Sequence, residues 1–104
     1  MRQFDICRLR PVPDAGGGTQ LVVILQADLV SELDTRVVAP LVAEAELPAL
    51  LRLRPEIHHN GRRNRLIADR LSVLSVKSIG SRVGSCADRD YDIRRALDIV
   101  FVGV

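Results

Sequence analysis

The chain has 104 residues, which bounds it to one domain over 1–104, able to bury roughly 65% of the surface it exposes when unfolded. Hydrophobic residues make up 47% and charged residues 27%, a composition that excludes a disordered chain. The net charge is +2, from 15 basic and 13 acidic residues. So weak a field argues against direct nucleic-acid binding by this chain alone.

The strongest apolar run, Leu21–Leu25, is far shorter than the ~20 residues that span a bilayer. Arg2 and Asp5 interrupt any apolar leader, so the expected location is cytoplasmic, with no membrane partner. Lys77 is the only lysine, which leaves 14 arginines. Guanidinium forks suit carboxylates and phosphates, but these arginines are scattered from Arg2 to Arg95 among acids, as arginine-rich codon usage scatters them. Cys7 and Cys86 have no CxxC or metal-ligand spacing and read as small buried hydrophobes.

Phe4 and Ile6 alternate with Asp5 and Cys7, which predicts a short opening strand. The stretch from Pro11 to Gly18 holds two prolines and three glycines and predicts a mobile loop between two strands. Gln20–Ala27 is continuously apolar and β-branched at its centre, the pattern of a strand buried on both faces. Asp28–Asp34 turns the chain. Arg36–Ala43 is a second apolar strand, in which Pro40 lacks an amide hydrogen and belongs at a bulge or edge. Glu44–Leu51, with Pro48, fits a short helical turn or an irregular loop equally well.

Leu53–His58 alternates and leads into His59-Asn60-Gly61-Arg62. Asn-Gly between alternating segments predicts a two-residue hairpin, because both residues tolerate positive φ. The return strand is Arg63–Ala68, with Leu66 and Ala68 on one face. Leu71, Val73, Leu74, Val76 and Ile79 form further extended pieces, which Gly80 and Gly84 are expected to end. Ile93, Ala96, Leu97, Val100 and Phe101 then recur with helical spacing and predict a helix from about Ala87 to Phe101. Ser85 and Asp88 resemble a capping box at its start. Short strands followed by one helix give an α+β class, with a small barrel-like sheet closed by the helix.

Chemistry is sparse. His58 and His59 are adjacent in a strand, so their side chains leave on opposite faces and cannot share a metal ion. No nucleophile elbow or phosphate-binding loop occurs. One enzymatic option is acid–base cleavage of RNA by His58 or His59 with Arg62, Arg63 or Asp69. Against it, Phe4, Tyr91 and Phe101 are the only aromatics, too few to stack unpaired bases. The oddest feature is the end of the chain. An apolar helix face runs straight into Phe101-Val-Gly-Val104, a tip that must pack into its own core, a twin subunit or a partner.

Nearly end to end, the chain resembles the CcdB family, gyrase-poisoning toxins of type II toxin–antitoxin modules. The resemblance rests on Phe4-x-Ile6, Leu25-Gln-Ala-Asp-Leu-Val30 and Arg36-Val-Val-Ala-Pro-Leu41. It continues through Pro55-x-Ile57-His58 with Gly61, Val76-x-x-Ile79-Gly80 and Asp92-Ile93-Arg94, and closes on Phe101-x-Gly103 with an apolar last residue. It implies an SH3-like small antiparallel β-barrel with a C-terminal α-helix, working as a homodimer without cofactor, metal or catalysis. The implied action is to bind the gyrase A subunit and trap the gyrase–DNA cleavage complex, with neutralisation by a small antitoxin like CcdA. Matched positions put Leu29, Val30, Asp98, Val102, Gly103 and Val104 on the gyrase-binding surface. An arginine-bearing surface suits an acidic antitoxin segment, and Arg8, Arg10, Arg52 and Arg54 are its candidates.

One departure stands out. Val102 occupies a position where the best-known toxins of the family carry tryptophan. Losing an aromatic anchor at an interface centre typically costs about 2 kcal/mol or more. Two other readings therefore stay open: a dimer with weakened or lost gyrase poisoning that mainly binds antitoxin, and an mRNA endoribonuclease of the MazF/Kid type.

Overall fold

The structure is a computed structural model that describes residues 1–11, 20–30, 32–43 and 53–103. Among the described residues, seven strands precede one α-helix: β1 (Asp5–Leu9), β2 (Leu21–Ile24), β3 (Thr35–Ala43), β4 (Glu56–His59), β5 (Arg62–Leu66), β6 (Ser72–Ser75), β7 (Ile79–Ser85) and α1 (Asp90–Val102). Single 3-10 turns lie at Asp28–Val30, Val76–Ser78 and Ala87–Arg89. The strands form one antiparallel sheet in the order β4-β5-β3-β2-β1-β7, with β6 also paired to β3.

The apolar run in β2 places side chains alternately on two buried faces. Val23 and Leu25 join Phe4, Ile6, Ala39, Leu41, Ile57 and Leu66 under α1, which contributes Ile93 and Ala96. Val22 and Ile24 turn to the other face, where Cys7, Val38 and Ile79 complete a smaller cluster. The sheet curls until its two end strands meet. The ring of His59 in β4 lies so close over β7 that a Cβ built on Gly84 would stand 3.1 Å from its Cε1 and Nδ1 atoms. Pairing stops there, because β4 and β7 are the unpaired ends of the described strand order. The α+β expectation therefore holds as a curled antiparallel sheet with a C-terminal helix.

The hairpin forms as expected, with φ of 53° at Asn60 and 73° at Gly61. His58 faces Arg63 and His59 faces Arg62 across it. Several expectations need correction. The first strand begins at Asp5, because Phe4 sits at φ 69° with its amide on the Ile24 carbonyl (2.6 Å) and its carbonyl accepting from the Cys86 amide (2.9 Å). β2 stops at Ile24, three residues early, where the chain turns toward the 3-10 segment.

Pro40 is at neither a bulge nor an edge, since its register opposite Val22 of β2 is unbroken. It lies inside β3 where the strand changes partner, between Val38, paired to β6, and Leu41, paired to β5. There its carbonyl accepts from the Ile67 amide at 2.9 Å, and the missing N–H falls in the gap between two ladders. Gly80 and Gly84 do not end a strand either; β7 runs through both, and its register against β1 shifts between Ile6 and Cys7 and again before Leu9. No capping box forms. The Ser85 hydroxyl accepts from the Ala87 amide (3.2 Å), the 3-10 turn follows, and α1 proper begins at Asp90. The expectations for the loop at residues 12–19 and the segment 44–52 lie outside the described residues.

Candidate functional site

At about 100° per residue, Ala96, Leu97 and Val100 stay within about 60° of Ile93, and these positions face the core. Phe101 lies about 80° round, at the margin of that stripe, and its side chain is not buried but 70% exposed. Val102, about 180° from Ile93, is also 70% exposed. The expected fifth core position is therefore a surface aromatic beside Val102. The angle alone carried the signal, since a stripe ending at i+8 has already begun to leave its face.

Gly103 closes the helix. Its φ of 85° lets its amide donate back to the carbonyls of Asp98 (3.2 Å) and Ile99 (3.0 Å). The space around it is open, so glycine is required by backbone angle and not by crowding. Val102 and Gly103 are thus displayed at the tip together with the exposed Asp98, while Val104 lies outside the described residues.

Leu29 and Val30 sit on the 3-10 turn after β2, 93% and 43% exposed. The Asp28 carboxylate accepts from the Gln3 amide (2.7 Å), and the Gln26 side-chain amide donates to the Val30 carbonyl (2.8 Å). The next residue, Phe4, carries the Arg94 guanidinium 5.6 Å above its ring. Residues 2–4 are therefore a common support for the Leu29–Val30 turn and for α1.

The arginine candidates divide. Arg8 and Arg10 are exposed, with Arg10 donating to the Ile79 carbonyl (3.3 Å), and Arg52 lies outside the described residues. Arg54 must be corrected: it is buried, and its guanidinium grips Asp69 through two bonds of 3.1 and 3.0 Å. That bond holds the Asp69 carboxyl below the usual carboxylate range, and Asp69 is thereby withdrawn from either histidine.

The carboxylate beside His58 is instead Glu56, with Oε2 3.0 Å from Nε2 and Oε1 3.8 Å from Arg63. The His58 hydrogen bond, helped by the nearby Arg63 and Arg65 charges, lowers the Glu56 pKa. His59 goes to the opposite side, over Gly84. No group of three His, Cys, Asp or Glu residues able to hold a metal ion occurs among the described residues. Cys7 and Cys86 are free and buried. Burial pushes the Cys86 thiol up to about 12 and raises Cys7 as well, so neither is a nucleophile at neutral pH. No described helix is long and apolar enough to cross a membrane.

Comparison with known proteins follows the same outline. No curated protein matches the chain significantly. Among solved structures, an endoribonuclease in complex with its cognate antitoxin from a mycobacterial species superimposes with a TM-score of 0.77 at 14% identity, over 96% of this chain and 93% of that one. The Mycobacterium tuberculosis toxin MazF-mt6 gives 0.74 at 17% identity, over 93% and 95%. MazE-MazF from Deinococcus radiodurans gives 0.70 at 18% identity, over 94% and 92%. At such identities the likeness establishes the fold. The family comes from the sequence, where a model described as CcdB protein matches residues 3–103. With all but the first two residues and the last inside that match, the chain belongs to the CcdB family of toxin–antitoxin toxins.

Proposed function

We propose that the chain is a toxin that binds the gyrase A subunit through the tip of α1 and traps gyrase on cleaved DNA. It acts as a homodimer in the cytoplasm, needs no cofactor, and is neutralised by a CcdA-like antitoxin that meets the Arg8 and Arg10 side of the molecule. The observation that carries this reading is the tip itself. Phe101 and Val102, two large apolar side chains, stand 70% exposed on a helix end fixed by Gly103. Apolar groups held out on a rigid support are what a protein partner buries at the centre of an interface. Leu29 and Val30 add a second exposed apolar element, and Phe101 supplies an aromatic ring next to the position where Val102 replaces tryptophan.

The test is a gyrase supercoiling and cleavage assay with wild type and Val102→Trp. Wild type should leave cleavage complexes on DNA, and Val102→Trp should deepen the effect about tenfold or more, as an added aromatic anchor does. Gyrase that supercoils normally at high concentrations of both proteins refutes the reading.

One observation favours a second reading. The Glu56–His58 pair beside Arg63 has the components of an acid–base site for RNA cleavage, and two of the similar folds are described as endoribonucleases. Incubation with purified RNA decides it. Cleavage that Glu56→Gln and His58→Ala both abolish supports the enzyme, and intact RNA removes it.

A further inference from the structure

The hairpin of β4 and β5 concentrates charge that the near-neutral total of the chain hides. Between Glu56 and Asp69 stand three arginines, two histidines and no acid, so this one segment carries more positive charge than the whole chain's net +2. Of the two flanking acids, Asp69 is held by Arg54, and Glu56 pairs with His58 and Arg63. An opposite carboxylate is the usual cross-strand partner of an arginine, yet Arg62 faces His59 and Arg63 faces His58.

The register puts these groups on both faces of the ribbon. Successive strand residues alternate, so Arg63 and His58 share one face, and Arg62 and His59 share the other. Both arginines are exposed, and Arg62 has no ion-pair partner among the described residues. His59 serves a different end. Its ring lies over Gly84 of β7 and mounts the ribbon on the sheet. Beyond that contact the turn is open: Asn60 and Gly61 are exposed, and nothing comes within 4 Å of a Cβ built on Gly61. The ribbon therefore ends in a supported tip with an arginine on each face.

The two-faced pattern selects among polyanions. An acidic peptide strand would lie against one face only, whereas a groove lined by a phosphate backbone on each wall meets both. The major groove of B-form DNA, about 12 Å wide, admits a two-stranded β-ribbon, while that of duplex RNA is too deep and narrow to enter. Unpaired strands are held by stacking on aromatic rings, and no Phe, Tyr or Trp lies between Phe4 and Tyr91.

We infer that the β4–β5 tip is a backbone contact for duplex DNA, with Arg62 taking a phosphate on one wall of the major groove and Arg63 a phosphate on the other. Guanidinium forks suit phosphate oxygens, and contacts of this kind position a protein without reading sequence. Affinity is that of non-specific binding, with Kd on the order of 10⁻⁵ M at physiological salt. The contact does not depend on the gyrase reading. Unlike the RNA-cleavage reading, it breaks no bond and gives the Glu56 carboxylate no part in binding, since that charge repels phosphate.

The experiment follows fluorescence anisotropy of a short random-sequence DNA duplex across a salt series, with duplex RNA, single-stranded DNA and polyglutamate as comparison ligands. Wild type should bind duplex DNA most tightly. Each phosphate contact contributes about 0.9 to the slope of log affinity against log salt, so Arg62→Gln and Arg63→Gln should each lower that slope by about 0.9 for every hairpin engaged. Lys77→Gln removes the same charge from an exposed residue just beyond β6, which pairs the end of β3 opposite to β5, and should leave the slope as it was. Glu56→Gln should bind at least as tightly as wild type. Thermal midpoints confirm that each variant folds. No binding of duplex DNA by wild type overturns the inference, as does equal or tighter binding of any comparison ligand. So do arginine variants that behave like Lys77→Gln, or a loss of affinity in Glu56→Gln. None of these results touches the gyrase reading, which supercoiling and cleavage assays decide separately.

Discussion

The end strands of the sheet approach each other where the His59 ring lies over Gly84, and a double-mutant cycle at these residues tests that approach. Gly84 has none of the positive φ found at Gly61 and Gly103, so alanine fits its backbone. The added methyl would stand 3.1 Å from two ring atoms of His59 and 3.6 Å from the Ile6 Cδ1. The second distance is ordinary contact; the first forces the ring back by a few tenths of an ångström. Overpacking of this kind costs about 1–3 kcal/mol, while restricting the unfolded chain at a glycine returns about 0.4–1 kcal/mol. Gly84→Ala alone should therefore destabilise by about 1 kcal/mol and lower Tm by roughly 4–8 °C. In a His59→Ala background the methyl meets no ring, and the same substitution should become neutral or stabilising by about 0.5 kcal/mol. Urea unfolding of the four proteins gives the coupling, expected near 1.5 kcal/mol. If the two substitutions add to within about 0.3 kcal/mol, the strands do not meet at this point and the closure described is wrong.

Other expectations concern ionisation. The folded pKa of Asp69 is depressed by Arg54, so its contribution is complete above the unfolded value near 3.9 and is lost as pH falls through the folded one. Asp69→Asn should thus cost on the order of 1 kcal/mol at neutral pH, with the gap to wild type closing in acid below pH ~4; a gap that persists at low pH refutes the pairing. With its thiol near 12, Cys86 is only about one part in ten thousand thiolate at pH 8. A disulfide reagent should leave native protein unlabelled and label two thiols in denaturant, and rapid native labelling would contradict the burial.

The features legible in the sequence were those that local chemistry decides. Asn60-Gly61 forces a hairpin because few other dipeptides accept two positive φ values in succession, and the spacing from Ile93 to Val100 fixes the buried side of α1. What escaped was decided by distant partners. Gly80 and Gly84 resemble strand breakers, yet they lie inside β7, one close to the Arg8 carbonyl and the other under His59. Arg54 resembled a surface charge until the fold brought Asp69, fifteen residues away, into its fork. Pro40 resembled an edge residue because nothing local shows that β3 pairs with two strands in turn on the same side. Of the site, the exposed tip was visible as an oddity in an apolar ending, whereas the pairing of His58 with Glu56 required knowing that the fold gives Asp69 to Arg54.

The backbone closure at Gly103 separates two kinds of change open to this protein. The tip is anchored by main-chain carbonyls of Asp98 and Ile99, while the side chains that a target would touch hang outside that anchorage. Residues such as Asp98 and Val102 can be exchanged for others of different size or charge with the terminus still aimed the same way. Under the function proposed above, specificity can therefore change through these side chains while the helix end that carries them keeps its direction.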